Sequence, residues 1–174
     1  MDKPDKPIPE TYWVLVDRFL AGEYPGSHDD VRARRRLAAF LTAGFDTFID
    51  LTHPGERPDY FPLLQAEAQR LNRPASHQQF SFPDFSVPSL QTMTAVLDAI
   101  DEALSQGHKI YLHCVGGIGR TGMAVGCYLV RHGRSGQEAL DELARLYRSA
   151  GQSAFYPVSP ENGRQVAFIR DWSG

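Results

Sequence analysis

Cysteine is scarce in this chain: 174 residues include only Cys114 and Cys127. Two thiols give no disulfide framework, so the chain is expected in a reducing, cytoplasmic setting where a reactive thiol stays usable. Long apolar runs are missing too. No stretch approaches the ~20 residues that cross a bilayer, which argues against stable membrane association. Positive charge is in deficit, with 18 Lys and Arg against 21 Asp and Glu and a formal net charge of −3. A general nucleic-acid binder needs a basic surface, so that class is set aside. The six histidines lie without ligand spacing, so no metal site is indicated, and no other cofactor is called for. Internal repeats and low-complexity tracts are also absent. What remains is ordinary globular composition, 42% apolar, in a length that fits one domain. The segment Met1-Asp2-Lys3-Pro4-Asp5-Lys6-Pro7 is polar and proline-rich, unlike a signal peptide. Residues 1–10 are expected as a flexible tail and 11–174 as a single, monomeric domain.

The most informative stretch is His113-Cys114-Val115-Gly116-Gly117-Ile118-Gly119-Arg120-Thr121-Gly122. The apolar run Ile110 to Leu112 leads into it and the apolar segment Met123 to Val130 leads out, so it reads as strand, tight loop and helix N-terminus. Its glycines let the loop take positive φ and curl its N–H groups toward one point. With the helix N-terminus, the N–H groups of Val115, Gly116, Gly117, Ile118 and Gly119 form an anion site. Arg120 adds a planar fork that grips two phosphate oxygens. A cysteine on the floor of such a site faces a positive potential that favours its thiolate.

Strands alternate with helices along the rest of the chain. Trp13–Val16 and Phe19–Ala21 read as short strands. Ser27 and Asp30 read as a capping box for a helix reaching Ala43, closed by Gly44. Its Arg32, Arg34, Arg35 and Arg36 read as a solvated face, the rival being a docking patch for an acidic partner. Phe45–Leu51 is β-like. The loop Thr52–Asp59 follows at the strand end that faces the crevice in open α/β sheets; its charges are either site rim or, more simply, loop solvation. A helix is expected over Phe61–Leu71, a strand over His77–Phe82, and a helix over Ser89–Leu104 striped by Leu90, Met93, Leu97, Ile100 and Leu104. Met123–Val130 is apolar nearly all round and should be buried. Ser135 and Glu138 cap the next helix, and Ser159-Pro160 is expected to start the last one. The pattern predicts an α/β fold, a central mostly parallel sheet flanked by helices.

Cys followed by five residues and Arg-Thr-Gly, with His before the Cys, resembles the signature loop of the cysteine-dependent protein tyrosine phosphatase superfamily. The Gly-Gly-x-Gly-Arg spacing resembles the compact dual-specificity type, in particular its cyclin-kinase-associated branch. The resemblance implies that Cys114 is a nucleophile forming a cysteinyl phosphate, and that Arg120 binds phosphoryl oxygens in ground and transition states. It also implies that Thr121 donates a hydrogen bond to the Cys114 sulfur, and that His113 holds the loop from a buried position. A leaving oxygen needs a proton, and Asp84 in Phe82-Pro83-Asp84-Phe85 resembles the family's mobile general-acid loop, which implies that it protonates the leaving group and then acts as base toward water; taken alone, Pro-Asp is a turn dipeptide. Gln165 in Gln165-Val166-Ala167-Phe168 resembles a water-positioning glutamine, with a plain polar helix residue as an equal alternative.

Two other readings are set aside. Gly117-Ile118-Gly119-Arg120-Thr121-Gly122 satisfies G-x-G-x-x-G, yet no acidic residue ends a following strand about twenty positions on, as a dinucleotide site requires. Cys127 reads as a small core residue. The expected substrate is a phosphorylated protein, carrying phosphotyrosine and also phosphoserine or phosphothreonine. Val115 and Ile118 are apolar where phosphoinositide phosphatases of the superfamily carry lysines. A phosphoinositide phosphatase and a non-catalytic phosphoprotein-binding module are the alternatives.

Overall fold

The computed structural model describes residues 3–174. One mixed sheet holds β1 (Thr11–Leu15), β2 (Phe19–Gly22), β3 (Thr47–Asp50), β4 (Ser76–Gln79) and β5 (Ile110–His113) in the order β1-β2-β5-β3-β4. Only β1 runs antiparallel to its neighbour. The helices are α1 (Asp30–Thr42), α2 (Phe61–Leu71), α3 (Leu90–Ser105), α4 (Gly119–Arg131), α5 (Gly136–Tyr147) and α6 (Gly163–Arg170), with a 3-10 turn at Gly151–Ala154. The expected α/β class with a mostly parallel sheet is therefore what forms.

Alternation along each strand divides the core between the two faces of the sheet. Ile110 and Leu112 of β5, with Phe19 and Ala21 of β2, pack with residues of α3, α4 and α5. Tyr111, Leu20 and Phe48 point the other way, among residues of α1 and α2. β5 is central, and α4 is buried along its whole run from Gly119 to Tyr128. The register aligns Gly22 with His113, His113 with Asp50, and Asp50 with Gln79, so four parallel strands end in one row. Every loop that leaves this row emerges at the same edge, the crevice edge of an open α/β sheet.

Several boundaries depart from the sequence expectation. α1 is capped by Asp29, whose side chain accepts the Arg32 N–H, while Ser27 Oγ accepts from Asp29 N. α4 starts at Gly119, four residues before the apolar run, because the loop itself supplies its first turn. α6 starts at Gly163 under an Asn162 cap that accepts the Gln165 N–H; Ser159-Pro160 lies before it, and Ser159 Oγ donates to Ile118 O. β4 stops at Gln79. Part of the segment expected as a tail over residues 1–10 makes contacts with the domain. Ile8 is buried in the α1–α2 core, and Lys6 Nζ donates to the Thr11 and Ser149 carbonyls, each at 2.7 Å. One apolar side chain and one ammonium thus tie the segment down; Met1 and Asp2 lie outside the described residues.

Candidate active site

Cys114 follows β5 directly, and the loop from Cys114 to Ile118 is shaped from outside. His113 Nδ1 donates to Cys114 O (3.0 Å), Tyr24 N to Val115 O (2.9 Å), Gln152 Nε2 to Gly116 O (3.1 Å) and Ser159 Oγ to Ile118 O (2.6 Å). Carbonyls drawn outward leave the peptide N–H groups facing the opposite way. Among the described residues, the N–H groups of Val115, Gly116, Gly117 and Ile118 donate to no other group. They are free donors on one short loop, which is what an anion cradle needs. Gly117 takes φ +71, and a Cβ there would stand 2.3 Å from the carbonyl carbon of Gly22, so only glycine fits. Gly119 adds the first turn of α4 and its helix dipole.

On the floor of the cradle, Thr121 Oγ1 lies 3.1 Å from Cys114 Sγ in donating geometry. Beneath it, His113 is fully buried, and Tyr60 Oη lies 2.7 Å from its Nε2. A carbonyl only accepts, so the Nδ1 facing Cys114 O carries the proton and Nε2 accepts from the Tyr60 hydroxyl. Burial lowers the His113 pKa, consistent with that neutral tautomer, and pushes the Tyr60 phenol well above its ordinary value. Behind His113, burial alone would raise the Asp50 carboxyl. The facing His113, the His77 imidazole at 3.0 Å, and Thr52 Oγ1 and N outweigh that and hold it at about 2. His113 thus links the loop, through Cys114 O, to the Tyr60 hydroxyl.

Arg120 reaches back over the cradle with no side-chain exposure. Its Nη1 and Nη2 form a two-pronged ion pair with Glu56 at 2.9 and 2.6 Å. Nη1 also donates to Leu51 O and Phe82 O, each at 3.3 Å. Nε is buried with no hydrogen-bond partner among the described residues, and Asp84 Oδ1 stands 3.4 Å away. An unused donor on a buried guanidinium marks where an anion's oxygen belongs. Burial opposes the cation, but Glu56, Cys114 and Asp84 more than offset it and raise the Arg120 pKa. In return Arg120 holds the Glu56 carboxyl below its ordinary range. The loop Thr52–Asp59 is thus a rim of the site, and Glu56 is a residue that sequence reasoning assigned to solvation.

Asp84 is brought to the same place by the loop after β4. Its Oδ1 accepts the Phe85 N–H at 2.9 Å, with Phe85 at φ +58. The loop is clipped to the start of α6: Asn162 Nδ2 donates to Phe85 O at 3.0 Å, and Gln165 Nε2 lies 3.5 Å from Ser86 O. Gln165 is buried, and its Oε1 accepts the Glu161 N–H at 2.9 Å. Six of the expected site residues, Cys114, Arg120, Asp84, Thr121, His113 and Gln165, converge on one end of the sheet. Glu161 is a second newcomer; no motif signal marked it. Cys127 is buried in α4, where burial raises its pKa. Among the described residues, no group of three or more His, Cys, Asp or Glu side chains could hold a metal ion, and no helix is long and apolar enough to cross a membrane.

A family model described as Tc-R-P, polymorphic toxin system, DSP-PTPase phosphatase, matches residues 32–134. The chain is 32% identical over 125 residues to Protein tyrosine phosphatase domain-containing protein 1 of Mus musculus, covering 68% of this chain and 16% of that protein. It is 33% identical over 161 residues to Phosphatidylinositol 3,4,5-trisphosphate 3-phosphatase and protein-tyrosine-phosphatase PTEN1 of Arabidopsis thaliana, covering 91% of this chain and 36% of that one. The chain thus spans a minor part of the length of either relative. In fold it resembles the crystal structure of Tk-PTP in the active form, with TM-score 0.73 and 24% identity over 94% of this chain and 96% of that one. The matched family model and the convergent loop together show that the chain belongs to the DSP-PTPase family of the cysteine-dependent protein tyrosine phosphatase superfamily.

Proposed function

We propose that the chain hydrolyses phosphotyrosine in phosphorylated proteins, and phosphoserine or phosphothreonine within the same class, through a cysteinyl-phosphate intermediate. The observation that carries this reading is the pairing of Cys114 Sγ, 3.1 Å from Thr121 Oγ1, with the buried, unpartnered Nε of Arg120. The phosphoryl group sits among the N–H groups of Val115 to Gly119. Cys114 attacks phosphorus as the thiolate while Asp84 gives its proton to the departing oxygen. Charge spread over the equatorial oxygens meets donors already in place, so little reorganisation accompanies the transition state. Thr121 stabilises the sulfur as it leaves in the second step.

Two features support a phosphoprotein substrate. The loop side chains Val115 and Ile118 are apolar and suit an aryl or alkyl carrier more than a polyphosphorylated ring. Beside Val115 lies a cavity of about 260 Å³ whose lining includes His28, Arg32, Arg36 and Arg57, a basic flank suited to acidic residues near the phosphorylated one. The same flank supports phosphoinositide hydrolysis as a second reading, as named in the Arabidopsis relative.

Hydrolysis of an aryl phosphate without added metal tests the chemistry. Wild type is expected to turn over, Cys114→Ser to lose turnover while still binding vanadate, and Asp84→Ala to slow by roughly 10²-fold or more. Turnover persisting in Cys114→Ser would overturn the nucleophile assignment. Phosphopeptides and phosphoinositides assayed side by side decide between the two substrate readings.

A further inference from the structure

The connection between α5 and α6 is pinned to the cradle loop at two carbonyls. Gln152 Nε2 donates to Gly116 O at 3.1 Å, and Ser159 Oγ donates to Ile118 O at 2.6 Å. The two are not held alike. Ile118 O also accepts the Gly122 N–H, the first backbone bond of α4, so the helix directs it without Ser159. Gly116 O accepts from Gln152 alone among the described residues. Packing does not fix this corner either: apart from its chain neighbours, a Cβ on Gly116 would meet nothing nearer than the Ile118 side chain at 3.5 Å. The peptide joining Gly116 to Gly117 is trans, so its carbonyl and its N–H point in opposite directions. The bond that draws Gly116 O toward Gln152 therefore turns the Gly117 N–H, a free donor of the cradle, to the other side.

The Gln152 amide is committed to this task. Both of its partners are carbonyls, which only accept, so the amide orientation is fixed. Its second hydrogen goes to Glu10 O at 3.2 Å, and one side chain thus spans the segment before β1 and the nucleophile loop. Its backbone is held by Gly151 N donating to Pro9 O at 2.9 Å and by Gln152 O accepting from Phe155 N and Tyr156 N. Gln152 Oε1, in contrast, is buried with no partner among the described residues. An unsatisfied buried acceptor costs stability, and an apolar side chain of similar volume would avoid that cost. The amide is better explained by what its donors hold than by what it adds to the fold.

We propose that Gln152 is a positioning residue for both half-reactions: by holding Gly116 O outward, it presents the Gly117 N–H to an equatorial oxygen of the phosphoryl group. The assignment rests on the cysteinyl-phosphate reading given above and adds a group outside the signature loop that never touches substrate. The other loop N–H groups and Arg120 still bind the ground state without it. A donor that must reorient at each turnover gives up part of its transition-state stabilisation, so the loss falls on kcat more than on KM.

Two variants of the whole chain test the assignment with an aryl phosphate. Gln152→Met keeps the length and removes both donors. Its kcat is expected to fall roughly 10- to 100-fold with KM kept within about a factor of three, and its thermal midpoint should not fall. Vanadate, which resembles the transition state, should bind more weakly in proportion to kcat/KM, and inorganic phosphate nearly as to wild type. Gln152→Glu places a carboxylate there that only accepts, whereas its protonated form can donate one hydrogen to Gly116 O. Its kcat relative to wild type should climb as pH falls from 8 to 5, while the ratio for Gln152→Met stays constant. A kcat within about a factor of two of wild type in Gln152→Met, or a flat ratio for Gln152→Glu, overturns the proposal. Should Gln152→Met fail to fold, the ratio for Gln152→Glu decides alone. A wild type that neither turns over nor binds vanadate removes the phosphatase reading itself; a wild type that does both beside indifferent variants removes only the role of Gln152.

Discussion

Arg120 must hold a full positive charge in a buried position before any substrate arrives. An uncompensated buried charge is strongly destabilising, and the two-pronged bond to Glu56 is the compensation present. The pair also fixes the guanidinium plane, leaving Nε without a hydrogen-bond partner among the described residues, 3.4 Å from Asp84 Oδ1. Glu56→Gln keeps shape and hydrogen-bonding capacity but removes the charge, so Arg120 should tilt. The expected outcome is a fall of about 10- to 100-fold in kcat/KM for an aryl phosphate, with vanadate binding weakened in parallel; an unchanged kcat/KM would mean that the pair is incidental. Asp50 makes a different prediction, about acid stability. Its folded value of about 2 lies below its ordinary 3.8, so the folded state binds fewer protons than the unfolded state in that interval. The stabilisation is complete above about pH 4 and is lost as pH falls toward 2, amounting to roughly 2 kcal/mol. His113, lowered from 6.5, acts in the same direction: stability falls as pH drops below 6.5, where the unfolded imidazole gains its proton first. Urea midpoints measured from pH 7 to pH 2 should decline more steeply for wild type than for Asp50→Asn, whose lower starting stability should be less sensitive to acid.

Elements matter here through how they are joined. The start of α6 holds the acid loop at its shorter contact through Asn162, whose Oδ1 caps the helix while its Nδ2 grips Phe85 O at 3.0 Å. Asn162→Ser keeps a capping oxygen but cannot reach the loop. Asp84 should then be less well placed, and the loss should fall on substrates whose leaving oxygen needs a proton. An alkyl phosphate is expected to lose about 10-fold in kcat, and a nitrophenyl phosphate little. Equal losses on both would indicate general damage to the fold instead. The same joint explains what the sequence made legible. The cradle could be read because its donors, nucleophile and arginine are contiguous, so local geometry alone brings them together. The amphipathic helices could be read because the 3.6-residue period survives in α3 and α5. The start of α6 could not: Ser159-Pro160 and Asn162 carry equivalent capping signals, and only the bond from Ser159 Oγ to Ile118 O shows that the first serves the cradle instead. Glu56 and Glu161 were invisible for a related reason. Glu56 reaches the site from a loop 64 residues before Arg120 and Glu161 from beyond the far end of α5, and nothing local marks a glutamate that meets a distant arginine or the first turn of a distant helix.

At the scale of the whole molecule, a net charge of −3 gives no hint of an anion-seeking face, because the relevant charge is local. The arginines of α1 are sorted by packing. Arg34 pairs with Glu67, and Arg36 pairs with Glu23 while also donating to the Tyr24 and Pro25 carbonyls. Arg32, on the same helix, has no carboxylate within 4.0 Å among the described residues. It lines the cavity beside Val115 together with Arg57, from the loop that also carries Glu56. Three guanidinium groups there face the single carboxylate of Glu23, which Arg36 already occupies. The sheet topology produces this asymmetry: the loops after β2 and β3 flank β5 on either side, so charge carried on either one lands next to the phosphate. Exposed pairs are each worth up to about 1 kcal/mol, so replacing both Arg32 and Arg57 by Ala should reduce kcat/KM roughly 3- to 10-fold for a phosphotyrosine peptide flanked by acidic residues. The effect should shrink as salt rises from 50 to 500 mM, because rim charges act through a screened field. A small aryl phosphate, which cannot reach the flank, should be hydrolysed as by wild type at every salt concentration. If the acidic peptide also ignores the substitutions, the flank has no part in substrate choice, and the apolar loop residues Val115 and Ile118 carry the selectivity alone.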